Sequence, residues 1–403
     1  MNHPDRRRAF ILLFAALLVM GASNSMLFVV LPTVTRAMGT GDIFVGLIFA
    51  GSSLFYMFCS PLWGALSDTM GRRPVLLAGM AGNTAALAAI ALVTGAALSG
   101  KVWPLLAVAL FAAARMLYGA IGSAIAPAAQ AYIADRTARR ERTRLMSSLT
   151  AGAGLGTAIG PPLAACAGRL IGVASFIFAL AGVSAAMLVL IALLLPEHRA
   201  PTPREPGPRR LLALARDRRL LPFLLVGVGV WVAQGVFLQT VLFYLLDRAH
   251  LPSPRAMLVS GWILGAGALL VFGAQFVLIP LFRLRPRLLM ATGASLTGLG
   301  ALAMLLSTGV WSIGASFLLA SLGAGLSRPG MVSGASLSVE PQEQGAAAGL
   351  ATATAGAGFF LSPFTGLALY QFAGPTAAYG AIAALMGGIA LLALRNRRIR
   401  EIG

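Results

Sequence analysis

The stretch from Gly64 to Arg73 reads Gly-Ala-Leu-Ser-Asp-Thr-Met-Gly-Arg-Arg, and it lies between two long apolar runs. These runs cover residues 45–66 and 75–93, and each is long enough to cross a bilayer as a helix. So short a connection between two such helices must lie at the membrane surface. Its carboxylate, two guanidiniums and two glycines would allow charges to pair where the helix ends approach closely. A basic loop with turn glycines is the simpler alternative.

The composition is that of a polytopic, all-α membrane protein. Of 403 residues, 58% are hydrophobic and only 11% are charged, and the mean hydropathy is +0.85. A net charge of +19 would suggest a nucleic-acid partner in a soluble protein. Here the positive residues cluster between apolar runs, so they indicate topology in a lipid bilayer, and no nucleic-acid partner is expected. The two cysteines lie in apolar runs and predict neither a metal site nor a disulfide framework.

Runs of membrane-spanning length predict twelve transmembrane helices. Their expected positions are about 9–35, 43–66, 75–97, 102–134, 145–168, 171–195, 220–246, 256–281, 288–307, 310–338, 345–371 and 375–394. The first run follows three arginines and superficially resembles a signal peptide, but it continues far enough to span, so an uncleaved first helix is expected.

One long polar segment, rich in proline and arginine, divides the chain. It covers residues 196–219. The sequence therefore predicts an N-terminal six-helix bundle over 1–195, a cytoplasmic linker over 196–219, and a C-terminal six-helix bundle over 220–403. Of the 31 lysines and arginines, 24 fall on the side of the N-terminal tail and five on the other, while Arg115 and Arg328 lie within helices. This asymmetry predicts cytoplasmic termini, in an integral protein of the bacterial inner membrane.

The two halves also resemble each other as repeats. A shift of 202 residues places Pro127 on Pro329, Pro161 on Pro363, Glu141 on Glu343 and two glycines of helix five on glycines of helix eleven. A shift of 212 places Arg73-Pro74 on Arg285-Pro286. Parallel six-helix repeats are an architecture of secondary transporters, which hold substrate near the midplane between the halves.

The connection from Gly64 to Arg73 resembles motif A of the major facilitator superfamily, Gly-x-Leu-Ala-Asp-Arg-x-Gly-Arg-Lys. The matching residues are Gly64, Leu66, Asp68, Gly71, Arg72 and Arg73. The resemblance implies two pseudo-symmetric six-helix bundles. It also implies that Asp68 pairs with Arg72, or with backbone donors of a neighbouring helix, as a latch that favours one conformation of the transport cycle.

Two further motifs extend the resemblance over the whole chain. Arg115, Gly119 and Gly122 are similar to motif B, with Tyr118 where glutamine is usual. Helix five is similar to antiporter motif C through its small residues and prolines, Gly152, Gly154, Gly156, Gly160, Pro161 and Pro162, although Ala164-Ala165 replaces the terminal glycine pair. Together the three motifs resemble the twelve-helix drug:proton antiporters and imply export. Tight helix packing with a bend is the alternative reading of the glycines.

Arg115 is expected near the middle of helix four, where an arginine costs about 2.5–3.5 kcal/mol on insertion scales and usually serves a function. A structural cation bonded to carbonyls is the alternative. None of the twelve acidic residues falls in a helix core, so a buried, proton-exchanging carboxylate is lacking and the cavity is expected to be positive. Asn24, Trp231, Gln234 and Arg328 are the further candidate substrate contacts; Arg328 could instead extend to the membrane surface.

The sequence therefore predicts a proton-coupled exporter of small amphipathic molecules or drugs, working by alternating access as a monomer. It is not expected to be an enzyme or to hold a cofactor or metal. One alternative is export of an anionic metabolite or siderophore-like compound bound through Arg115. Another is a membrane sensor that does not transport. The single lysine and the missing phosphate-binding loop argue against ATP as the energy source.

Overall fold

The computed structural model describes residues 3–135, 139–196, 216–282, 285–340 and 343–402, and over these ranges it contains helices and no strand. The chain divides into two compact units. The first comprises residues 1–40 and 51–204, and the second comprises residues 41–50 and 205–403. Most of the predicted linker, residues 197–215, lies outside the described residues.

Long apolar helices account for the first unit. They are α1 (His3–Ser25), α2 (Leu27–Ala37), α3 (Ile43–Met70, whose beginning groups with the second unit), α4 (Arg72–Leu98), α5 (Pro104–Ala120), α6 (Ile125–Ala134), α7 (Arg139–Ile171) and α8 (Val173–Leu194). Met26 separates α1 from α2, and a short 3₁₀ turn, Gly122–Ala124, separates α5 from α6. The first and fourth predicted spans are therefore each built from two helices.

The second unit repeats this pattern. Its helices are α9 (Leu221–Asp247), α10 (Ser253–Gly273), α11 (Ile279–Phe282), α12 (Pro286–Leu306), α13 (Val310–Leu337), α14 (Gln344–Ser362), α15 (Ala368–Arg395) and α16 (Arg397–Ile402). Wide π-helical turns, Ala274–Leu278 and Pro363–Leu367, connect α10 to α11 and α14 to α15.

Ten segments among the described residues are long and apolar enough to cross a membrane. The count of twelve is therefore not confirmed. One of the ten, Gly349–Arg395, is 47 residues long, which exceeds the roughly 20 residues that one crossing needs. Within it Gly374 has a φ of 86°, outside the helical region. Helix α7, the predicted fifth span, is not among the ten.

The connection between α3 and α4 is shorter than predicted. Helix α3 continues to Met70 and α4 begins at Arg72, so Gly71 alone lies outside a helix. Its φ of 100° lies in the region that side chains strongly disfavour, which explains a glycine at this turn. The predicted helix ends at residues 66 and 75 were wrong because the polar residues at this end continue the helices.

Candidate transport site

Two polar side chains of the first unit, those of Asn24 and Tyr118, lie against Arg115. The Arg115 Nη1 atom donates a hydrogen bond of 2.9 Å to Asn24 Oδ1, and the Asn24 amide in turn donates to the Tyr118 hydroxyl. The Arg115 guanidinium carbon lies 5.0 Å from the centre of the Tyr118 ring. Arg115 is only 6% exposed. The structure thus joins two residues predicted separately, Asn24 and Arg115, and adds Tyr118 to them.

Close packing of α1 against α7 positions Asn24. Motif C glycines lie directly over carbonyl oxygens of α1, and a β-carbon built on each would meet one of them: Gly152 at 2.7 Å from Phe14 O, Gly156 at 2.0 Å from Leu18 O, and Gly160 at 2.5 Å from Ala22 O. The three glycines are spaced four residues apart on α7, and so are the residues that they face on α1. Each set therefore lies along one face of its helix. Helix α7 continues through Pro161 and Pro162 without a break. These glycines therefore serve the contact with α1.

Helices α9 and α14 repeat this packing in the second unit with the glycines exchanged. Here Gly227 faces Thr354, Gly358 faces Trp231, and Gly235 faces Ser362. The 202-residue shift places Thr354, Gly358 and Ser362 on Gly152, Gly156 and Gly160. Each of these three pairs therefore contains one glycine. In two of the pairs the glycine is on α9, whereas the corresponding glycines of the first unit are on α7.

Trp231 and Arg328 meet in the second unit. The Arg328 guanidinium carbon lies 3.8 Å from the centre of the Trp231 ring, a distance typical of a cation stacked on an indole. The Phe359 ring also contacts Trp231, with 5.5 Å between the ring centres. Gln234, also on α9, is 9% exposed. The structure thus brings together Trp231 and Arg328 of the predicted contacts, and the Arg328 Nε atom is buried.

Arg72 pairs with a residue that the sequence analysis did not select. Its Nε atom lies 2.9 Å from Asp135 Oδ2, immediately after α6, and its Nη1 atom donates to Ser67 Oγ. The Arg72 side chain is 8% exposed and that of Asp135 is 34% exposed. The Asp68 side chain lies outside the described residues, so its predicted pairing remains a prediction. The ion pair connects the start of α4 to the end of α6.

Arg73 and Arg287 make matching contacts in the two units. Arg73 donates to the carbonyl oxygen of Ala192 in the last turn of α8. Arg287 donates to that of Leu394 in the last turn of α15, at 2.8 Å. Both arginines occupy the second position of their helices. Carbonyl groups in a last helical turn have no partner within the helix and attract cations, which explains both contacts.

A smaller ion-pair cluster lies before α9. Arg219 Nη2 lies 2.8 Å from Asp217 Oδ2 and 3.5 Å from Glu343 Oε2. Hydrogen bonding to the Asp217 carboxylate, with a smaller contribution from Glu343, raises the pKa of the Arg219 guanidinium. The predicted counterpart of Glu343, Glu141, has a side chain outside the described residues.

The described residues contain no group of three or more histidine, cysteine, aspartate or glutamate side chains that could hold a metal ion. Acidic side chains such as Asp135 and Asp247 lie at helix ends. Arg115 is the prominent charge of the candidate site in the first unit, and Arg328 is that of the candidate site in the second. Each can bind and orient a polar or anionic group in an apolar setting.

Comparison with known families matches residues 13–319 to the model of the Major Facilitator Superfamily. The match covers more than half of the chain and includes all three motifs. This chain belongs to the Major Facilitator Superfamily. Members of this family are membrane transporters, and the helical fold with its repeated halves is that of the family.

Similar curated proteins include multidrug and tetracycline resistance proteins. The multidrug resistance protein MdtG of Proteus mirabilis is 25% identical over 339 residues, which are 81% of this chain and 80% of that protein. MdtG of Serratia proteamaculans is 27% identical over 57% of this chain and 54% of its own length. The class C tetracycline resistance protein of Escherichia coli is 32% identical over 47% of this chain and 49% of its own length. Two of these three matches thus span about half of the relative.

Solved structures show the same fold at low identity. The human organic anion transporter MFSD10 (TETRAN) superposes with a TM-score of 0.71 and 20% identity, covering 96% of this chain and 99% of that one. A peptide transporter POT in complex with sulfate superposes with a TM-score of 0.76 and 15% identity, covering 98% of this chain and 96% of that one. At such identities the likeness supports the fold alone.

Sequence reasoning missed three contacts of these candidate sites. Tyr118 was noted as a departure from motif B, but its contact with Asn24 depends on the tertiary structure, since the two residues are 94 positions apart. Asp135 was placed at a helix end without a partner. Gly227 and Gly235 were not selected, although their spacing of eight residues around Trp231 was a signal that could have been read.

Proposed function

We propose that this protein is a secondary active exporter of small amphipathic molecules, driven by proton antiport. Arg115 carries the proposal, because a cation costly to bury is held by Asn24 beside Tyr118 within the fold of a transporter family. The matches to MdtG and to a tetracycline resistance protein support drugs as substrates. The asymmetry of lysine and arginine supports an inner-membrane location with both termini in the cytoplasm.

Alternating access would then use contacts at the helix ends of each unit. The pair of Arg72 with Asp135 joins α4 to the end of α6, so it belongs with motif A as a latch. We propose that it holds one conformation of the cycle, with Gly64, Asp68, Gly71 and Arg73 completing the motif. The motif C residues Gly152, Gly156, Gly160 and Pro161 would keep α1 and α7 together while the units move.

The decisive experiment is proton movement driven by substrate. Purified protein is reconstituted into proteoliposomes with an internal pH dye, and tetracycline or ethidium is supplied on one side. The proposal expects protons to move against the direction of the drug, and Arg115→Gln to remove the exchange. Accumulation of drug with no proton movement would contradict antiport, and absence of any accumulation would contradict export.

Export of an anion through Arg115 is a second candidate function, favoured by the burial of this cation beside two uncharged side chains. It expects Arg115→Ala to remove transport of an anionic probe while transport of a neutral hydrophobic one continues. Equal loss for both probes would assign Arg115 a structural role.

A further inference from the structure

Arg328 differs from Arg115 in having no hydrogen-bond or ion-pair partner among the described residues. Its guanidinium stacks on the Trp231 ring, and its buried Nε atom has no acceptor among the described residues. A guanidinium carries five N–H donors and loses much of its hydration when it is buried. Stacking on an aromatic ring covers the faces of the guanidinium and leaves its edge, where the donors point, available.

The acidic side chains of the second unit do not supply the missing acceptor. Those described there lie near helix ends, and none pairs with Arg328: Asp42, Asp217, Asp247, Glu340 and Glu343. Arg328 lies instead at the nineteenth position of the 28-residue helix α13. The described carboxylates therefore leave the Arg328 guanidinium available to an anionic group.

The Trp231 ring lies beside the guanidinium, the Phe359 ring lies beside Trp231, and close helix packing holds Trp231 in place. A β-carbon on Gly358 would lie 2.3 Å from the β-carbon of Trp231, so α9 and α14 approach as closely as a glycine permits. Phe359, the next residue on α14, contacts the Trp231 ring. The side chains of Trp231, Phe359 and Arg328 are all half-buried. A ligand could therefore reach one guanidinium edge and an aromatic surface at the same place.

We propose that Arg328 and Trp231 form a recognition site for the carboxylate of an amphipathic organic anion. The guanidinium edge donates two parallel N–H bonds to the carboxylate, the arrangement that arginine favours. The apolar body of the ligand packs on Phe359 and on the exposed part of Trp231. This inference rests on the proposed export of amphipathic molecules and names the class that the second unit selects.

Binding of a matched pair of probes tests this site without requiring transport. The probes are dansylglycine, which carries a carboxylate, and dansylglycinamide, its neutral counterpart. Binding to the purified full-length protein in nanodiscs is followed by energy transfer from tryptophan to dansyl. The wild-type protein is expected to bind the anion about tenfold more tightly than the amide, the size of one good charge-assisted contact.

Substitutions at two arginines of the same unit separate recognition from general charge. Arg328→Gln is expected to remove the tenfold preference, whereas Arg328→Lys retains part of it, since it keeps the charge without the bidentate edge. Arg287→Gln removes one positive charge elsewhere in the second unit and is expected to keep the preference. Size-exclusion profiles and unfolding midpoints establish that each variant folds.

The outcomes are distinguishable from failure of the proposed function. Equal binding of both probes by the wild type, or a preference that persists in Arg328→Gln, overturns the site even if drugs are exported. A preference lost equally in Arg287→Gln also overturns it. Conversely, selective binding lost only in the Arg328 variants supports the site even if proton-driven export is not found.

Discussion

The same positions are polar in the first unit and aromatic in the second. Contacts between α1 and α7 match those between α9 and α14, which places Phe237 at the position of Asn24; the 202-residue shift places Phe317 at that of Arg115. In the first unit the pair is a hydrogen bond of 2.9 Å. In the second it is an edge-to-face contact with 6.1 Å between ring centres. The same helix arrangement thus holds a charged residue, Arg115, in the first unit and an aromatic pair, Phe237 and Phe317, in the second.

The glycine contacts differ in a related way. The first unit places Gly152, Gly156 and Gly160 on α7 and only Gly21 on α1, whereas the second has Gly227 and Gly235 on α9 and Gly358 on α14. A close approach needs one small residue in each layer, and the helix that supplies it is free to change. In the middle pair the glycine, Gly358, is on α14, and the residue on α9 is Trp231, which contacts Arg328. The two units therefore share helix spacing while presenting different side chains.

The largest effect is expected from Gly156→Ala. Its β-carbon would lie 2.0 Å from the Leu18 carbonyl oxygen, and backbone on both sides leaves no flexible group to move. Overpacking costs about 1–3 kcal/mol, and this position should lie at the upper limit. The measurement is the thermal unfolding midpoint in detergent, together with the yield of monodisperse protein.

Two further alanine variants show whether the glycine contacts are equivalent. Gly358→Ala should cause a loss of similar size, because its β-carbon would lie 2.3 Å from that of Trp231. Gly182→Ala is the control, since nothing lies within 4 Å of its added carbon. Equal midpoints for Gly156→Ala and Gly182→Ala would refute the close packing of α1 and α7.

The next effect concerns the latch of the first unit. Asp135→Asn removes the Asp135 carboxylate from its ion pair with the Arg72 side chain, which is 8% exposed. Breaking a fully buried pair costs about 3–5 kcal/mol, and about 2 kcal/mol is expected here because Asp135 is partly exposed. Unfolding midpoints measure the loss, and Asp135→Glu should recover most of it. A neutral effect of Asp135→Asn would show that this ion pair does not join α4 to α6.

A third prediction contrasts the matching polar and aromatic positions. Asn24→Leu removes an acceptor of Arg115, and hydrogen bonds to charged groups contribute about 1.5–3 kcal/mol. Transport of tetracycline is therefore expected to fall about tenfold. Phe237→Leu, at the matching position, should lower the unfolding midpoint while transport remains. Comparable loss of transport in both variants would mean that the polar contact has no function of its own.

The smallest effect is expected where α9 and α14 begin. Glu343→Gln removes a contact of 3.5 Å to Arg219, whose side chain is 39% exposed. Exposed ion pairs are screened by solvent, so the unfolding midpoint should not change measurably. Because the pKa of Arg219 is raised, any contribution of this pair is fully present at pH values below the ordinary pKa of arginine and is lost only as pH rises through the raised pKa. A clear decrease of the unfolding midpoint at neutral pH would show that this ion pair stabilises the protein as the pair of Arg72 with Asp135 does.

The membrane helices, the repeat and the motif glycines could be predicted because each leaves a local pattern. Hydropathy over about 20 residues reports a span, and glycines four apart report a face. The partner of Arg72 could not be predicted, since Asp135 is 63 residues away and the meeting depends on how α4 packs against α6. The same holds for Tyr118. The exchange of glycines in the second unit was hidden because no single motif contains both helices.

The contacts of Arg73 and Arg287 bear on how such a chain can be assembled. Each joins the second residue of one helix to the last turn of the final long helix of the same unit. Every atom of the first contact exists once Ala192 has been synthesised, about halfway along the chain. The contact of Arg73 with Ala192 therefore needs no residue of 205–403, the larger part of the second unit, and it can form before those residues are complete.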